Sequence, residues 1–307
     1  MDASLLLEQL LNGVQFGMTL FLMAAGLTLI FGIMNLINLA HGSLYMIGAY
    51  VAASSYAAWH SVLAALALAI GATILVGIVL EVGIFRALYD RDHLDQVLAA
   101  FGLILFFNEA VRMIWGATAL YAAVPPFLAG QVEVLPGIPY PVYRLAIIGV
   151  GLAVALFLYL LVGHTRIGAL IRAGASNRTM IGALGVNIGL LYTLIFGLGA
   201  GLAALSGAMA GPIFTVESGM GDDFLILAFV VIVIGGIGSI RGSFVAALMV
   251  GIADAVGRAF LRPLLALAVS QSAADSAGPA LASLLIYALM AFILFFRPRG
   301  LFPPRTR

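Results

Sequence analysis

Four polar side chains lie close together within a long apolar stretch near the N-terminus: Asn35, Asn38, His41 and Ser43. Uncharged polar groups cost free energy in hydrocarbon unless they pair or line a wet cavity. Gly42 would allow the backbone to unwind locally, and non-helical backbone is tolerated inside a membrane where it borders a pathway. The segment therefore has two interpretations. It lines a translocation path, or it is a cytoplasmic-side turn in which polar side chains cap two ordinary helices.

A second candidate segment is rich in glycine, since four of the eight residues from 235 to 242 are glycine. Each glycine disfavours a straight helix. The flanks are apolar runs with no strand–turn–helix unit, so the block is not a dinucleotide-binding fingerprint. We expect a hinge, a close helix crossing or a pore lining. The candidate path residues of this block are Gly235, Gly236, Gly238 and Ser239.

A third candidate is the polar segment His164–Asn187, which separates two apolar runs and can form one short amphipathic helix. The residues that would share one face of that helix are Ala175, Thr179, Ala183 and Leu184. A short helix lying across the membrane surface suits docking into a groove on a partner. The alternative is a basic loop that only fixes the topology.

Charged residues inside the apolar runs form two pairs with helical spacing, Glu109 with Arg112 and Asp254 with Arg258. Because these spacings place opposite charges on one helix face, we expect structural neutralisation. The adjacent carboxylates at 222–223 have no histidine nearby, and we expect them in an aqueous loop, solvated or facing a partner. No metal site is predicted.

The composition excludes a soluble globular domain and several kinds of chemistry. The 307 residues are 64% hydrophobic and 9% charged, with a mean hydropathy of +1.17, against about 25% charged in soluble domains. There is no cysteine, so a disulfide or thiolate site is impossible. All 14 basic residues are arginine, and a phosphate-binding P-loop needs its lysine. The chain therefore has no ATP site of that type, is not expected to be an enzyme, and is not expected to bind nucleic acid.

The elements that must position these residues are membrane-spanning helices. A span needs about 20 apolar residues, so we predict an all-α polytopic membrane protein, one domain over 1–307, with about nine spans and eight to ten possible. Glycines leave 224–260 open to a re-entrant or broken span. The predicted spans are 10–33, 36–58, 61–85, 95–115, 142–163, 187–211, 224–240, 242–260 and 280–296.

The arginines predict the orientation. Cytoplasmic loops carry an excess of arginine and lysine, and about ten of the 14 arginines fall on one side if the spans alternate. The proline-containing loop 116–141 and the acidic loop 212–223 then lie outside. We therefore expect an outside N-terminus, a cytoplasmic C-terminus and an odd number of spans.

Three runs of the sequence resemble the H-type permease of bacterial branched-chain (hydrophobic) amino acid ABC importers. The NLAHG motif followed by GAY is specific to that group, whereas the GGIGS block is shared more widely, including by the companion M-type permease. The runs are GIMNLINLAHGSLYMIGAYVA (32–52), IRAGASNRTMIGALGVN (171–187) and VIVIGGIGSIRGSFVAALMVG (231–251).

The resemblance implies a multi-pass permease of the bacterial inner membrane. Such a permease pairs with an M-type permease, two cytoplasmic ABC ATPases and a periplasmic solute-binding protein that delivers Leu, Ile or Val. This chain would bind no cofactor, because the ATPase subunits use the ATP. The segment about 164–187 would contain the coupling helix that sits in an ATPase groove. Its candidate residues are Arg172, Ala175, Asn177, Thr179, Gly182, Ala183 and Gly185.

Other functions remain open from the residues. Relatives with the same type of motif carry urea, short amides or aromatic acids, so the cargo is predicted as an amino acid or a small amide or urea. An ion-coupled secondary transporter would normally show a carboxylate or proton relay near mid-membrane, and the acids here are expected near the interfaces. A membrane enzyme is disfavoured because the sequence has no HExxH, no GxSxG and no compact His/Asp/Glu group in a span.

Overall fold

The computed structural model describes residues 3–36, 38–135, 137–267 and 269–303. These residues form a helical bundle with one small hairpin, whose strands β1 (Gln131–Leu135) and β2 (Ile138–Pro141) pair antiparallel. The helices are α1 (Ala3–Met34), α2 (His41–Trp59), α3 (Val62–Gly83), α4 (His93–Trp115), α5 (Val142–His164), α6 (Arg166–Ser176), α7 (Arg178–Ala183), α8 (Ile188–Ala210), α9 (Met220–Gly235), α10 (Ile240–Leu265) and α11 (Gln271–Phe296), with 3-10 turns at Phe85–Leu88 and Pro126–Leu128.

Within the described part of the chain, seven helices are long and apolar enough to cross a membrane: α1, α3, α4, α5, α8, α10 and α11. The all-α polytopic fold is therefore confirmed. The predicted spans 36–58 and 224–240 instead contain α2 and α9, which do not meet these criteria. With 16 residues, α9 is about 24 Å long at a rise of about 1.5 Å per residue, which is less than the ~30 Å hydrocarbon core. The count of nine spans stays a prediction.

The first helix forms the centre of the bundle. Most of α1 is buried, and it packs along α8 and α10 over most of its length. In contrast, α3, α4, α5 and α11 are mostly exposed and turn large apolar side chains outward, such as Leu63, Leu105, Leu156 and Phe295. An apolar exterior around a buried central helix is the arrangement expected of a protein that lies in lipid.

Small residues allow the central helices to touch at their backbones. A Cβ added at Gly13 of α1 would lie 2.6 Å from Cα of Ile252, and one at Gly32 would lie 2.8 Å from Cα of Gly238. These two contacts show that α1 and α10 run antiparallel. Close backbone approach replaces the hydrophobic driving force that helices lack inside a bilayer.

The two loops predicted to lie outside contact each other. Leu120 and Val216 exchange backbone hydrogen bonds of 2.8 and 3.1 Å, which joins 116–141 to the segment after α8. Asp254 and Arg258 form the predicted ion pair at 2.8 Å. Glu109 and Arg112, both described, do not form an ion pair.

The prediction of a single amphipathic helix within 164–187 is wrong in detail, because the structure has two helices there. Asn177 adopts an extended conformation (φ −155°, ψ 95°) that ends α6. Its side chain then accepts a hydrogen bond from the Met180 N–H and begins α7. Asparagine competes with the helical backbone in this way and favours helix starts over interiors.

Candidate functional site

The second helix begins halfway through the bundle. Gly26 of α1 lies against both α8 and the first residue of α2. A Cβ added at Gly26 would lie 2.7 Å from the carbonyl oxygen of Gly199, at the centre of α8, and 3.0 Å from Nε2 of His41. His41 is therefore level with the middle of α8. The chain from α1 reaches this depth through the non-helical residues around Asn38.

The ninth helix begins at the same depth. A Cβ added at Gly42 would lie 2.6 Å from the carbonyl oxygen of Gly221, in the first turn of α9. Gly219 precedes α9 with a φ of +91°, a conformation that favours glycine. The first turns of α2 and α9 thus overlap side by side, and the Gly219 N–H lies 3.4 Å from Sδ of Met46. We call this region the α2–α9 junction. It consists of residues 38–43 and 219–222.

The two helices leave the junction in opposite directions. The Gly48 Cβ position falls on Ala204 of α8, and Ala52 packs with Ala208 further along, so α2 runs parallel to α8. α9 instead ends at Gly235, against the start of α10. Both positive helix ends therefore converge on one point at mid-depth. Discontinuous helices with converging N-termini form binding sites for anionic groups in known transporter folds.

Three of the predicted path residues are buried at this junction without a partner. Asn38 and His41 have no exposed surface, and Ser43 is 2% exposed. Their side-chain nitrogen and oxygen atoms make no hydrogen bond within the described part of the chain, although the His41 ring faces the backbone of Met23. Buried polar groups are nearly always paired in a resting structure. A set left unpaired points to a function or to a second conformation.

The fourth polar residue of this segment lies apart from the junction. Asn35 is exposed, adopts a left-handed conformation (φ +51°) and follows the last turn of α1. It lines two cavities at that end of the bundle, of about 600 and 480 Å³. The structure thus separates Asn35 from Asn38, His41 and Ser43.

These cavities bring the first polar segment and the 164–187 segment together. Asn35 and Ala175 line both, Asn177 lines the larger, and Arg172 lines the smaller. Gly174 of α6 also packs beside α1, because a Cβ there would lie 3.6 Å from Cγ2 of Ile33. The two segments share one end of the bundle, and α6 touches the end of α1 directly.

The glycine-rich block forms a tight turn between α9 and α10. Gly236 (φ +100°) and Gly238 (φ +81°) supply the conformations that this turn requires. A Cβ at Gly235 would lie 2.6 Å from the Gly242 carbonyl oxygen, so the block makes a close helix crossing. The Ser239 side chain accepts a hydrogen bond from the Gly242 N–H and caps α10. Of the three interpretations, the close crossing describes the observed geometry.

All seven candidate coupling residues lie on an exposed surface. Arg172, Ala175, Asn177, Thr179, Gly182, Ala183 and Gly185 are each exposed. Two apolar side chains are exposed with them: Leu184 at 75%, which the sequence placed on the predicted face, and Met180 at 63%, which it did not single out. Exposed apolar side chains at the tip of a polar segment are typical of a protein interface. The apolar character of Met180 was the signal that could have identified it.

A buried carboxylate near the same end was also missed. Glu81 of α3 has no exposed surface and accepts hydrogen bonds from Arg86, Tyr89 and Thr193 at 2.7–3.2 Å. Burial, with the hydrogen bond to Glu81, raises the pKa of Tyr89, so its hydroxyl stays a donor. This Glu81 cluster joins α3, the following turn and α8.

The prediction that the carboxylates at 222–223 lie in an aqueous loop is wrong. They occupy the first turn of α9, level with the junction, and Asp222 accepts a hydrogen bond of 3.4 Å from Asn108. Acidic residues in a first helical turn complement the positive helix end. Within the described residues no group of three or more His, Asp or Glu side chains could hold a metal ion.

An apolar helical bundle with two broken helices and unpaired polar groups at mid-depth defines a membrane transport protein. The family described as "Branched-chain amino acid transport system / permease component" matches residues 9–294. The chain belongs to this family, and it is a permease subunit, a multi-pass inner-membrane protein and not itself an enzyme. In this family the permease is the membrane part of an ATP-binding-cassette importer, working together with other subunits.

Individual relatives agree with the family. The chain is 31% identical over 309 residues to the high-affinity branched-chain amino acid transport system permease protein BraD of Pseudomonas aeruginosa, covering 96% of this chain and 95% of that protein. It is 31% identical over 277 residues to the corresponding permease protein LivH of Escherichia coli, covering 83% and 87% of the two chains. No solved structure gives a significant match.

Proposed function

We propose that this permease moves branched-chain or other hydrophobic amino acids inward across the membrane, and that the α2–α9 junction is the closed constriction of the path. The observation that carries the proposal is the set of unpaired buried groups on Asn38, His41 and Ser43, where two helix N-termini meet. An amino acid carries a carboxylate, which converging helix N-termini attract. The relatives BraD and LivH are named as permease proteins of branched-chain amino acid transport systems.

The proposed topology has nine crossings. Two of these crossings each consist of a short helix preceded by a segment that is not fully helical. They are the segments 35–59, which includes α2, and 211–235, which includes α9. Successive crossings alternate in direction, as the antiparallel contacts of α1 with α10 support. With arginine-rich loops inside, the N-terminus lies outside, and the C-terminus and 164–187 lie in the cytoplasm.

The force for opening comes from separate ATPase subunits in this proposal. The chain has no lysine for a P-loop and so has no ATP site of that type. One of the two cytoplasmic ATPases binds α6, α7 and the residues around Leu184. Movement of α6 passes to the end of α1, which it touches at Ile33, and from there to the non-helical residues before α2. An M-type permease completes the path, and a periplasmic binding protein delivers the cargo.

The test uses the importer assembled in liposomes with its ATPases and binding protein. We expect Gly182→Glu to abolish leucine uptake and to uncouple ATP hydrolysis, while the protein stays folded, because Gly182 is exposed and has room for a side chain. The same reasoning applies to Ala183→Arg. Gly130→Glu, on an exposed glycine of the opposite loop with nothing within 4 Å, is the matched control and should transport normally.

Three outcomes would contradict the proposal. Normal leucine uptake by the Gly182→Glu importer would remove the coupling role of the segment. Uptake that continues under vanadate but stops with an uncoupler at constant ATP would indicate an ion-coupled transporter. Competition by urea or acetamide, and not by leucine, would assign the cargo to the amide class.

A further inference from the structure

An open groove runs between α5 and α10 at the proposed cytoplasmic end. Both helices pack on α1 but scarcely touch each other, which leaves a cavity of about 680 Å³ with Phe21 of α1 at its floor. Leu158 and Phe244 form its walls. The volume falls within the ~300–1,000 Å³ typical of small-molecule sites.

The groove is apolar along its length and basic at one end. Arg172 and Arg241 line the end nearest the cytoplasm, and no carboxylate of the described residues lines the cavity. Both arginines are exposed. The Arg241 guanidinium lies 5.4 Å from the centre of the Tyr159 ring, which holds it against α5. The charge pattern therefore suits a ligand with an apolar body and an anionic head.

The position of the groove identifies the kind of ligand. It opens on the side of α5 that exposes Leu156 and Leu160, an apolar face that lies in hydrocarbon. The arginines sit near the last turns of α5 and in the first turn of α10, at the depth of the lipid headgroups under the proposed orientation. Basic pockets between helices at the cytoplasmic side suit anionic lipid headgroups, and arginine forms paired hydrogen bonds with phosphate.

We propose that this groove binds one anionic phospholipid, with an acyl chain against Ala155, Phe244 and Val245 and the phosphate at Arg172 and Arg241. The first turn of α10 adds backbone N–H groups that face the same end. The lipid would fill the space between α5 and α10 and brace both against α1. The proposal uses the orientation given above and is independent of the identity of the cargo.

The test compares lipid retention by the assembled importer in nanodiscs of dioleoylphosphatidylglycerol or dioleoylphosphatidylcholine, followed by delipidation in detergent and native mass spectrometry. We expect one phosphatidylglycerol per chain to resist removal and phosphatidylcholine to be lost. The double variant Arg172→Gln/Arg241→Gln should lower the apparent affinity for phosphatidylglycerol by about 30-fold, at roughly fivefold per arginine beside an anionic headgroup.

The matched control is Arg297→Gln/Arg299→Gln, which removes the same charge from exposed arginines that neither line the groove nor belong to α6 or α7. It should leave retention unchanged. If both double variants lost phosphatidylglycerol equally, the lipid would be attracted by net charge alone, and the proposed site would be overturned. Full retention by Arg172→Gln/Arg241→Gln, or a cross-link from Phe244 to the second permease subunit, would also overturn it. Leucine uptake by the control importer checks the proposed function separately.

Discussion

At the scale of the residue, buried polar groups at mid-depth are the main support for the proposed translocation path. Asn38 and His41 were identifiable from sequence because amide and imidazole groups inside an apolar run are costly. Their burial without partners was not predictable, because it depends on Met23, Gly26 and Gly221 from distant parts of the chain. The same holds for Glu81, whose partner Thr193 is 112 residues away.

The first residue-scale prediction concerns Asn38→Leu. Removing a buried amide that has no partner should raise the thermal unfolding midpoint, since an unsatisfied buried polar group costs about 1–3 kcal/mol. The same change should lower the maximal rate of leucine uptake about tenfold or more while the importer still assembles. Unfolding in detergent and uptake in liposomes check the two effects. Unchanged uptake kinetics would favour the structural interpretation of the segment.

A second residue-scale prediction concerns the Glu81 cluster. Arg86→Ala leaves a fully buried carboxylate with only the Tyr89 and Thr193 hydroxyls. We expect a loss of about 1–3 kcal/mol in the free energy of unfolding, below the ~3–5 kcal/mol of a fully buried pair, because the Arg86 side chain is 44% exposed. Arg91→Ala, also exposed and in the same loop, is the control. Equal unfolding midpoints for the two variants would contradict the prediction.

At the scale of the element, hydrophobic runs predicted most helices, whereas breaks in helices came from tertiary contacts. The run 36–58 looked like one span, yet α2 starts only at His41, where Gly42 meets Gly221. The boundary depends on α9, which local sequence does not reveal. The break between α6 and α7 could have been predicted from the sequence, because Asn177 is a strong helix-capping residue.

The element-scale prediction tests the close contact between the first turns of α2 and α9. Gly221→Ala would place a methyl group into the Gly42 backbone, with no flexible side chain to give way. We expect a lower unfolding midpoint and loss of uptake. Gly102→Ala in α4 is the matched control, since nothing lies within 4 Å of an added Cβ there and alanine favours helix by about 0.8–1.0 kcal/mol. A Gly221→Ala importer as stable and active as the control would argue against the close contact.

At the scale of the whole molecule, the sequence predicted the class of protein, and the structure showed how its helices are arranged. Composition and the three motif runs indicated a permease, and the family match confirms it. The convergence of α2 and α9 at mid-depth, and the shared cavities of Asn35 and Ala175, required three-dimensional contacts between residues far apart in the chain. The proposed closed junction therefore lies at mid-depth, and the proposed docking surface lies at one end of the bundle.

The central claim is that the α2–α9 junction opens during transport, and cysteine labelling tests it directly because the chain has no cysteine of its own. The Ser43→Cys variant in the assembled importer should resist a membrane-impermeant thiol reagent at rest and react during ATP turnover with substrate. Ser206→Cys is the control, because Ser206 is equally buried but bonds to the Thr19 carbonyl in the α1–α8 contact, and it should stay unreactive throughout. If leucine uptake proceeds while the cysteine at position 43 never reacts, the junction is not the path and the account is contradicted.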